Sequence, residues 1–489
     1  MYFIGIDLGT SSVKVIAMTP SGSIVGVSTA DYPITYPKDG WAEQNPEDWW
    51  QGTVLAFKSL LEKTAIHPSA IKSIGFSGQM HSLVVLDKNN DVLFPSILWC
   101  DQRTQNECYI LNNVFGKEKL FNTVSNQALT GFTAPKLMWL KNYFPEIFSN
   151  IAHVLLPKDY IRFKLTGNYA TDYSDASGML LLDIKNKIWS TEICDFIDIS
   201  MQVLPELYES YEVTGVVSEE GKRLLGLEGE VLVVAGAGDQ AAGAIGTGTV
   251  KEGIISVTLG TSGVVFAAHD HHVKDKHMRL HSFCHANSKY HSMGVMLSAA
   301  NCLKWWTDKV NIDVPFEQLM LEAEAIPANE QQILFLPYLM GERTPYANPN
   351  ARGTFIGLTP TTTRGAMTRA ILEGVSFGLK DSLDILRLMD VPIEEIRVIG
   401  GGSNSNLWLQ ILASVFDAPV SKINTEHGGA LGAAILASVG FGAYDSVESA
   451  CESIVSTLDT ILPLENDSIS YGRLHERFKG LYAALAPWF

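Results

Sequence analysis

Residues 7–14 read DLGTSSVK, and the letters LGTS recur at residues 259–262 inside ISVTLGTSGVV. Alternating apolar residues surround both copies, which predicts a β-hairpin with a glycine–hydroxyl turn at each place. Such a turn offers backbone N–H groups and hydroxyls close together, and its glycine lets an oxyanion approach the backbone. The repeat therefore predicts two similar α/β halves whose opposed turns could hold a polyphosphate. A plain tight hairpin remains the alternative for a single copy.

The elements around the two copies follow a similar order. Three strands open the chain, and a helix follows with Asn45 as its N-cap and Pro46 as its first residue. Further strands are predicted at 71–78 and 96–101, a helix at 134–144 and a long helix near 363–389. The glycine-rich stretch 235–253 is the predicted join between the halves. We therefore expect two domains, 1–245 and 246–489, with a ligand cleft between them.

Composition limits the partners. With 489 residues the chain is long enough for two or three domains, and its net charge of −17 without clustered Lys or Arg argues against nucleic acid. Six scattered cysteines without a CxxC pair favour reduced thiols and a cytoplasmic location. The uncharged segment 428–444 is rich in glycine, which suits a helix packed inside a protein better than a membrane span.

Charged residues near the first turn predict a metal and phosphate site. Asp7 stands at the end of the first strand, where an oxygen ligand would suit a Mg²⁺ ion that bridges phosphates. Lys14 adds a positive charge on the next strand. The sequence has no GxxxxGK[ST] loop and no GxGxxG after a strand, so phosphate binding here does not use a P-loop or a Rossmann turn.

Two further glycine-rich stretches combine a strand end with a helix start. In VVAGAGDQAAGAIG (233–246), Asp239 is placed either to act as a general base toward a hydroxyl or to cap the following helix, and the two roles could coexist. In RVIGGGSNSNLW (397–408), the glycines would let a base or a phosphate pack on the backbone, or they form a tight turn without a ligand.

A histidine-rich segment, 269–291, raises the question of a transition metal. HSFCH at 281–285 contains two histidines and one cysteine. Zinc motifs usually show two tight ligand pairs with a defined spacer, and this segment does not, so we do not expect a metal centre there.

Taken together, these stretches resemble the FGGY carbohydrate kinases. The motifs stand in the order of that family from Tyr2 to about Ala437: DLGTSSVK, WAEQNPEDWW, SGQMH, WCDQR, GFTAPKLMWL, LLPKDY, AGDQAAGA, LGTSG, HSFCHA, FLPYLMGERTP, GLTP and GGGSNSN. The resemblance implies duplicated ribonuclease-H-like domains of the actin/hexokinase ATPase fold, closing on ATP, Mg²⁺ and a sugar. It also leaves room for the last helix to pack back on the first domain.

Site residues follow from the resemblance by position. Asp239 matches the catalytic base and stands near the metal, and Asp7 matches the carboxylate near the metal and phosphates. Met80 and His81 match the sugar-contacting pair of the branch that acts on D-xylulose, with Asp101 and Gln240 as weaker sugar-site candidates. The ATP site is implied at Thr10, Ser11, Ser12, Lys14, Gly260, Thr261, Gly401, Gly402 and Asn406.

The implied reaction is ATP-dependent phosphorylation of a pentulose, D-xylulose, at O5. The alternatives are an FGGY kinase for ribulose, gluconate, glycerol or a sugar alcohol, and an actin-like assembly ATPase. A homodimer is compatible with the resemblance. Four positions depart from the family pattern: Ser82 and Cys100 near the expected sugar site, and Tyr143 and Ala366, where we expect packing effects.

Overall fold

The computed structural model describes residues 1–328, 333–425 and 427–489. The strands of the first half are β1 Tyr2–Leu8, β2 Ser12–Met18, β3 Ile24–Asp31, β4 Glu43–Gln44, β5 Ile71–Gly78, β6 Val84–Leu86, β7 Ser96–Ile97, β8 His153–Leu155, β9 Ala170–Asp172, β10 Leu182–Asp183, β11 Ile188–Trp189, β12 Glu206–Tyr208, β13 Val213–Val216, β14 Leu232–Val234 and β15 Ala237–Gly238. Its helices are α1 Pro46–Lys63, α2 Gln105–Ile110, α3 Lys117–Val124, α4 Thr133–Tyr143, α5 Pro145–Ser149, α6 Pro157–Thr166, α7 Tyr173–Ala176, α8 Thr191–Ile197, α9 Glu219–Leu225 and α10 Asp239–Gly246.

The second half contains a similar mixture of elements. Its strands are β16 Gly253–Leu259, β17 Gly263–His269, β18 His281–Cys284, β19 Tyr290–Met296, β20 Leu334–Leu336, β21 Thr354–Ile356, β22 Ile393–Ile399, β23 Val420–Ile423 and β24 Thr457–Ile461. Its helices are α11 Ala300–Trp305, α12 Phe316–Glu324, α13 Arg364–Leu388, α14 Asn406–Phe416, α15 Gly428–Gly440, α16 Val447–Ile454 and α17 Glu465–Leu485.

Each half is built on one large mixed sheet. The first has the order β13-β14-β5-β1-β2-β3, and the second β18-β19-β17-β16-β22-β23-β24. In both, an antiparallel hairpin (β1–β2, β16–β17) is followed by a parallel neighbour (β5, β22) and a further parallel strand (β14, β23). The predicted duplication is therefore seen in the sheets, and the fold is that of the actin/hexokinase ATPases.

The edges of the two sheets differ. The antiparallel edge strand of the first sheet, β13, precedes its partner β14 in the chain, whereas β24 follows its partner β23. The two sheets therefore share their central strands, while these edge strands are connected differently along the chain in each half.

Local sequence explains the first long helix. The side-chain oxygen of Asn45 accepts a hydrogen bond from the Glu47 N–H at 3.1 Å, and Pro46 occupies the first helical position, where no N–H is needed. Trp49 and Phe57 on its inner face are fully buried in the core of the first sheet. The predicted N-cap is confirmed.

The predicted strand at 96–101 is wrong beyond its first two residues. β7 ends at Ile97, and a turn follows in which the Asp101 N–H bonds to the Leu98 carbonyl at 3.2 Å. In this turn the Asp101 carboxylate is buried, where it pairs with Arg103 and accepts the Ala42 N–H.

A helix from the second half covers the sheet of the first. A Cβ added at Gly5 would lie 2.0 Å from the Ala430 carbonyl oxygen of α15, and one at Gly75 would lie 2.1 Å from that of Ala433. On the other side of α15, a Cβ at Gly432 would lie 1.8 Å from the Ala242 oxygen of α10. Glycines therefore allow backbone-to-backbone contact of α15 with β1, β5 and α10. This is the segment that the sequence placed inside the protein.

The last helix, α17, does not return to the first domain. Tyr471, Leu474 and Phe478 on its apolar face belong to the core of the second half, together with residues of α13 and α14. The expectation that it could pack on the first domain is corrected by these contacts. Within the described ranges, no helix has both the length and the apolar character needed to cross a membrane.

Candidate active site

The first LGTS turn is held in place by side chains from outside the hairpin. Leu8 pairs with Val13, which leaves four residues in the turn. The Trp99 indole N–H donates to the Thr10 hydroxyl at 3.0 Å, and the Gln44 amide donates to the Thr10 carbonyl at 2.7 Å. Ser11 at the tip is exposed and Ser12 is partly exposed. The turn is thus fixed while its tip remains open to a ligand.

The Asp7 carboxylate lies beside this turn, opposite Lys14 in the strand register. Its Oδ1 accepts a hydrogen bond from the Ser77 hydroxyl at 2.6 Å. Burial raises the pKa of Asp7, against the lowering effects of Ser77 and Lys14. A Cβ added at Gly429 would lie 2.9 Å from both Asp7 oxygens, so the glycine leaves a space over the carboxylate.

Asp239 is the first residue of α10, and Gly238 occupies the N-cap position. Burial raises the pKa of Asp239 to about 7, and the negative charge of Asp7 adds to the rise. Hydrogen bonds from the backbone and the side chain of Gln240 act in the opposite direction. The Asp239 carboxylate therefore interacts with the start of α10. It is also near the Asp7 carboxylate, and like charges so close together raise the pKa of Asp239.

A cavity of about 700 Å³ extends from Asp239 between the two halves. On the second half it is lined by the glycine-rich turn after β22, by Lys422 on β23 and by the start of α15, among them Gly400, Gly401, Asn404, Gly428 and Gly429. A second depression of about 850 Å³ shares Gly401 and Asn404 with it, and contains Gly402, Asn406 and the apolar side chains Leu303, Met320 and Leu407. Together they form one groove, polar at the Asp239 end and more apolar at the other.

The second LGTS turn is held differently. Leu259 pairs with Gly263, which leaves three residues in the turn, one fewer than in the first. Its carbonyls accept backbone N–H groups at the start of α11: Ala300 donates to Gly260 at 2.8 Å and Ala299 to Thr261 at 2.9 Å. The side chain of Thr261 remains exposed.

Met80 and His81 are placed beside the base-bearing segment. A Cβ added at Gly238 would lie 2.9 Å from the Met80 sulfur, so Met80 packs directly against the residue before Asp239. The His81 Nδ1 is 2.7 Å from the Gly178 carbonyl, and its ring packs edge-on to Phe132 at 4.7 Å. Burial lowers the pKa of His81 to about 3. The ring is therefore neutral, with Nδ1 as donor and Nε2 as acceptor.

Asp101 is committed to other partners. Its carboxylate forms a buried ion pair with Arg103 at 2.7 Å and accepts the Ala42 N–H at 2.6 Å. It is not among the residues that line the cavity at Asp239. The structure thus brings Asp239, Gln240, Gly401, Gly402 and Asn406 to one groove, and leaves Asp101 in a structural ion pair. Asp7 lies beside Gly429 of the groove lining, and Met80 lies beside Gly238, the residue before Asp239.

Some groups at the site were not singled out from the sequence. Lys422 lines the cavity and donates to the Asn406 side-chain oxygen at 3.0 Å, but a single lysine in a strand gives no pattern to detect. Trp99 and Gly429 were also missed, although Trp99 lies in the quoted WCDQR motif. Of the atypical residues, Ser82 accepts the Trp99 backbone N–H at 3.1 Å, and so supports the residue that fixes the first turn.

The histidine-rich segment contributes to packing. His269, His281 and His291 lie on β17, β18 and β19 and are buried, and His285 has its Nε2 2.9 Å from the Thr249 carbonyl. Across the described ranges, no three His, Cys, Asp or Glu side chains are arranged to hold a metal ion.

Comparisons with known proteins agree with the two-half architecture. Family models for the N-terminal and C-terminal domains of the FGGY family of carbohydrate kinases match residues 2–246 and 255–441. A xylulose kinase from Bacillus subtilis (strain 168) is 39% identical over 482 residues, covering 98% of this chain and 96% of the relative. A xylulose kinase from Escherichia coli (strain K12) is 39% identical over 495 residues, covering 99% of both chains.

A solved structure extends the comparison to three dimensions. The crystal structure of a gluconate kinase from Lactobacillus acidophilus superposes with a TM-score of 0.94 at 27% identity, covering 99% of this chain and 98% of the other. Carbohydrate kinases use a sugar and ATP as substrates. On the matched domains, the full-length relatives and the shared fold, this chain belongs to the FGGY family of carbohydrate kinases.

Proposed function

We propose that the protein transfers the γ-phosphoryl group of MgATP to O5 of D-xylulose, with Asp239 as the general base. The observation that carries the proposal is the position of Asp239. Its carboxylate opens into the groove between the halves, and Met80 of the sugar-contacting pair packs against the residue before it. A carboxylate with a pKa near 7 is well matched to accepting a hydroxyl proton at neutral pH.

The groove supports the ATP part of the proposal. Its more apolar end, with Leu303, Met320 and Leu407 near Gly402 and Asn406, suits an adenine ring, and its polar end near Asp239 suits the phosphates. Thr10, Ser11 and Ser12 on one turn, and Gly260 and Thr261 on the other, would donate hydrogen bonds to phosphate oxygens.

The residues present also fit a Mg²⁺ ion. Asp7 supplies an oxygen ligand, and Gly429 leaves space over it that a side chain would fill. Asp7 would hold the ion, with Asp239 nearby, and the bound ion would supply charge neutralisation of the phosphates. Burial raises the pKa of Asp7, while the Ser77 hydroxyl and the charge of Lys14 favour its ionised form and would be joined in this by the bound ion.

The sugar assignment rests on Met80 and His81 and on the xylulose kinases among the relatives. Neutral His81 would accept a hydrogen bond from a sugar hydroxyl at Nε2, because its Nδ1 donates to the Gly178 carbonyl. Asp239 would then take the proton of O5 as that oxygen attacks the γ-phosphorus in line. Closure of the halves would exclude water, the competing acceptor. Gln240 is a further sugar contact in this proposal, whereas the Asp101 carboxylate is engaged by Arg103 and the Ala42 N–H.

The test is ADP release from MgATP with D-xylulose, D-ribulose, L-ribulose, gluconate, glycerol and no sugar. We expect D-xylulose to give by far the highest kcat/KM over a small blank. A higher value for gluconate or another polyol would reject the sugar assignment while leaving the kinase. ATP turnover without sugar, with increased light scattering, would favour an assembly ATPase instead.

The role of Asp239 is tested by Asp239→Asn, which keeps the shape and removes the base. We expect kcat to fall by about 10²–10⁴-fold, with retained ATP binding and an unchanged fold. A surface variant, Asp195→Asn, serves as the matched control.

We also propose a cytoplasmic location, which the six free cysteines support, and a homodimer.

A further inference from the structure

A buried charge cluster lies behind the segment that carries Asp239. Lys158 on α6 is fully buried, and its ammonium pairs with Asp159 at 2.6 Å, Asp172 at 2.8 Å and Asp175 at 3.4 Å. Arg162, one turn further along α6, pairs with Asp159 at 3.2 Å. Charges with no access to water are costly unless paired, so this cluster restricts the groups around it to one arrangement.

The cluster holds residues 235–238, which lead into Asp239. Arg162 donates to the Ala235 carbonyl at 2.7 Å, and the Gly236 N–H donates to the Ser210 carbonyl at 2.9 Å. The Gly238 N–H donates to the Ser174 hydroxyl oxygen at 3.1 Å. These contacts fix the last residues before the catalytic helix.

The Ser174 side chain connects the charge cluster to Gly238, the N-cap residue of α10. Its hydroxyl donates to Asp172 Oδ2, and the same oxygen accepts the Ser174 N–H at 2.8 Å. The opposite carboxylate oxygen, Oδ1, faces Lys158. A continuous chain thus runs from the Lys158 charge through Asp172 and Ser174 to Gly238, the residue before the base.

We propose that Ser174 is a positioning residue for phosphoryl transfer, which couples the Lys158 cluster to the carboxylate of Asp239 through the Gly238 N–H. The inference rests on the proposed role of Asp239. In-line transfer depends on the base lying within hydrogen-bond reach of the attacking hydroxyl, and a displacement of about 1 Å can cost about 10²-fold in rate. Without the Ser174 hydroxyl, the buried Gly238 N–H has lost its hydrogen-bond acceptor. Gly238 directly precedes Asp239, so this is where a displacement of the base would begin.

The chain offers a matched control. The Ser210 hydroxyl donates to the same Asp172 oxygen at 2.8 Å, and Ser210 is as buried as Ser174, at 1% and 0% exposure. The Ser210 hydroxyl bonds to Asp172, whereas the Gly238 N–H bonds to Ser174, and the backbone contact of the Ser210 carbonyl with Gly236 survives truncation of the side chain. Ser210→Ala therefore removes an equivalent hydrogen bond to the cluster and leaves the link to the base intact.

The experiment compares Ser174→Ala, Ser174→Thr and Ser210→Ala in kcat, in KM for D-xylulose and in melting temperature. We expect Ser174→Ala to lower kcat by about 10- to 100-fold with KM within about twofold. Ser210→Ala should lose a similar amount of stability and keep kcat, and Ser174→Thr, which retains a hydroxyl, should stay near wild type.

Two results would overturn the inference: equal kcat for both alanine variants, or a threonine variant as impaired as Ser174→Ala. Either would leave the proposed function standing if Asp239→Asn is inactive. Full activity of Asp239→Asn would instead remove the base itself, so the two failures are distinguishable.

Discussion

The two LGTS turns share a sequence and a place in their sheets, but they differ in what surrounds them. The first has four residues, follows Asp7, and is tied by side chains such as Trp99 and Gln44. The second has three residues, follows Thr258, and is tied by backbone groups at the start of α11. The two halves thus share a scaffold. The carboxylate of Asp7, the charge of Lys14 and the side-chain hydrogen bonds to the turn are features of the first half.

The largest difference in kcat between the two halves should come from substituting Asp7 in the first and its counterpart Thr258 in the second. We expect Asp7→Asn to lower kcat by about 10²–10³-fold, because the proposed metal ligand is lost. Thr258→Val, at the equivalent strand position in the second half, should change kcat by less than about threefold. The measurement is ADP release at saturating D-xylulose and at several Mg²⁺ concentrations. Similar losses in both variants would mean that the two turns are chemically equivalent.

The pH profile sharpens the same comparison. Because the base must be ionised to accept a proton, kcat/KM should fall about tenfold per pH unit below the Asp239 pKa of about 7. The Asp7 charge raises that pKa, so Asp7→Asn should move the midpoint to lower pH, and Thr258→Val should leave it in place. A midpoint that stays near 7 in Asp7→Asn would contradict the coupling of the two carboxylates.

Lys14 should have a smaller effect, confined to the nucleotide. It lies opposite Asp7, whereas the residue opposite Thr258 is Val264, which carries no charge. Lys14→Met should raise the KM for ATP by about 5- to 10-fold and leave the KM for D-xylulose unchanged, since one charge-assisted contact is worth about 1.5–3 kcal/mol at most. Lys72→Met, distant from the turns along β5, is the control. An unchanged KM for ATP would remove Lys14 from the phosphate site.

The hydroxyls of Ser11 and Ser262, at the tips of the two turns, should give the smallest difference in the KM for ATP. Ser11 and Ser262 are both exposed at the tips of their turns. Ser11→Ala should raise the KM for ATP by about threefold, the value of one modest hydrogen bond, and Ser262→Ala should leave it near wild type. Steady-state titration of ATP distinguishes the two. A larger effect at Ser262 would show that the second turn is the main phosphate contact.

The sequence was informative where local rules decide the structure. The hairpins, the Asn45 cap and the glycine turns follow from short-range patterns, and these elements are found. The turn at 98–101 was missed because its Asp101 carboxylate is held by the Ala42 N–H, which is 59 residues away in the sequence. The position of α17 depends on which core its apolar face meets. The series of contacts from Lys158 to Gly238 joins three separate segments of the chain, and no spacing in the sequence indicates it.

The helix α15 has a consequence for synthesis of the chain. The first sheet is covered on one face by a helix that begins at Gly428, long after its last strand, β15, has been made. At about 5–20 residues per second, a ribosome would need on the order of 10–40 s to add the intervening residues. During that interval the glycine-lined face of β1 and β5 has no native cover. The first half must therefore emerge as an incomplete unit, and its folding ends only when the second half is nearly finished.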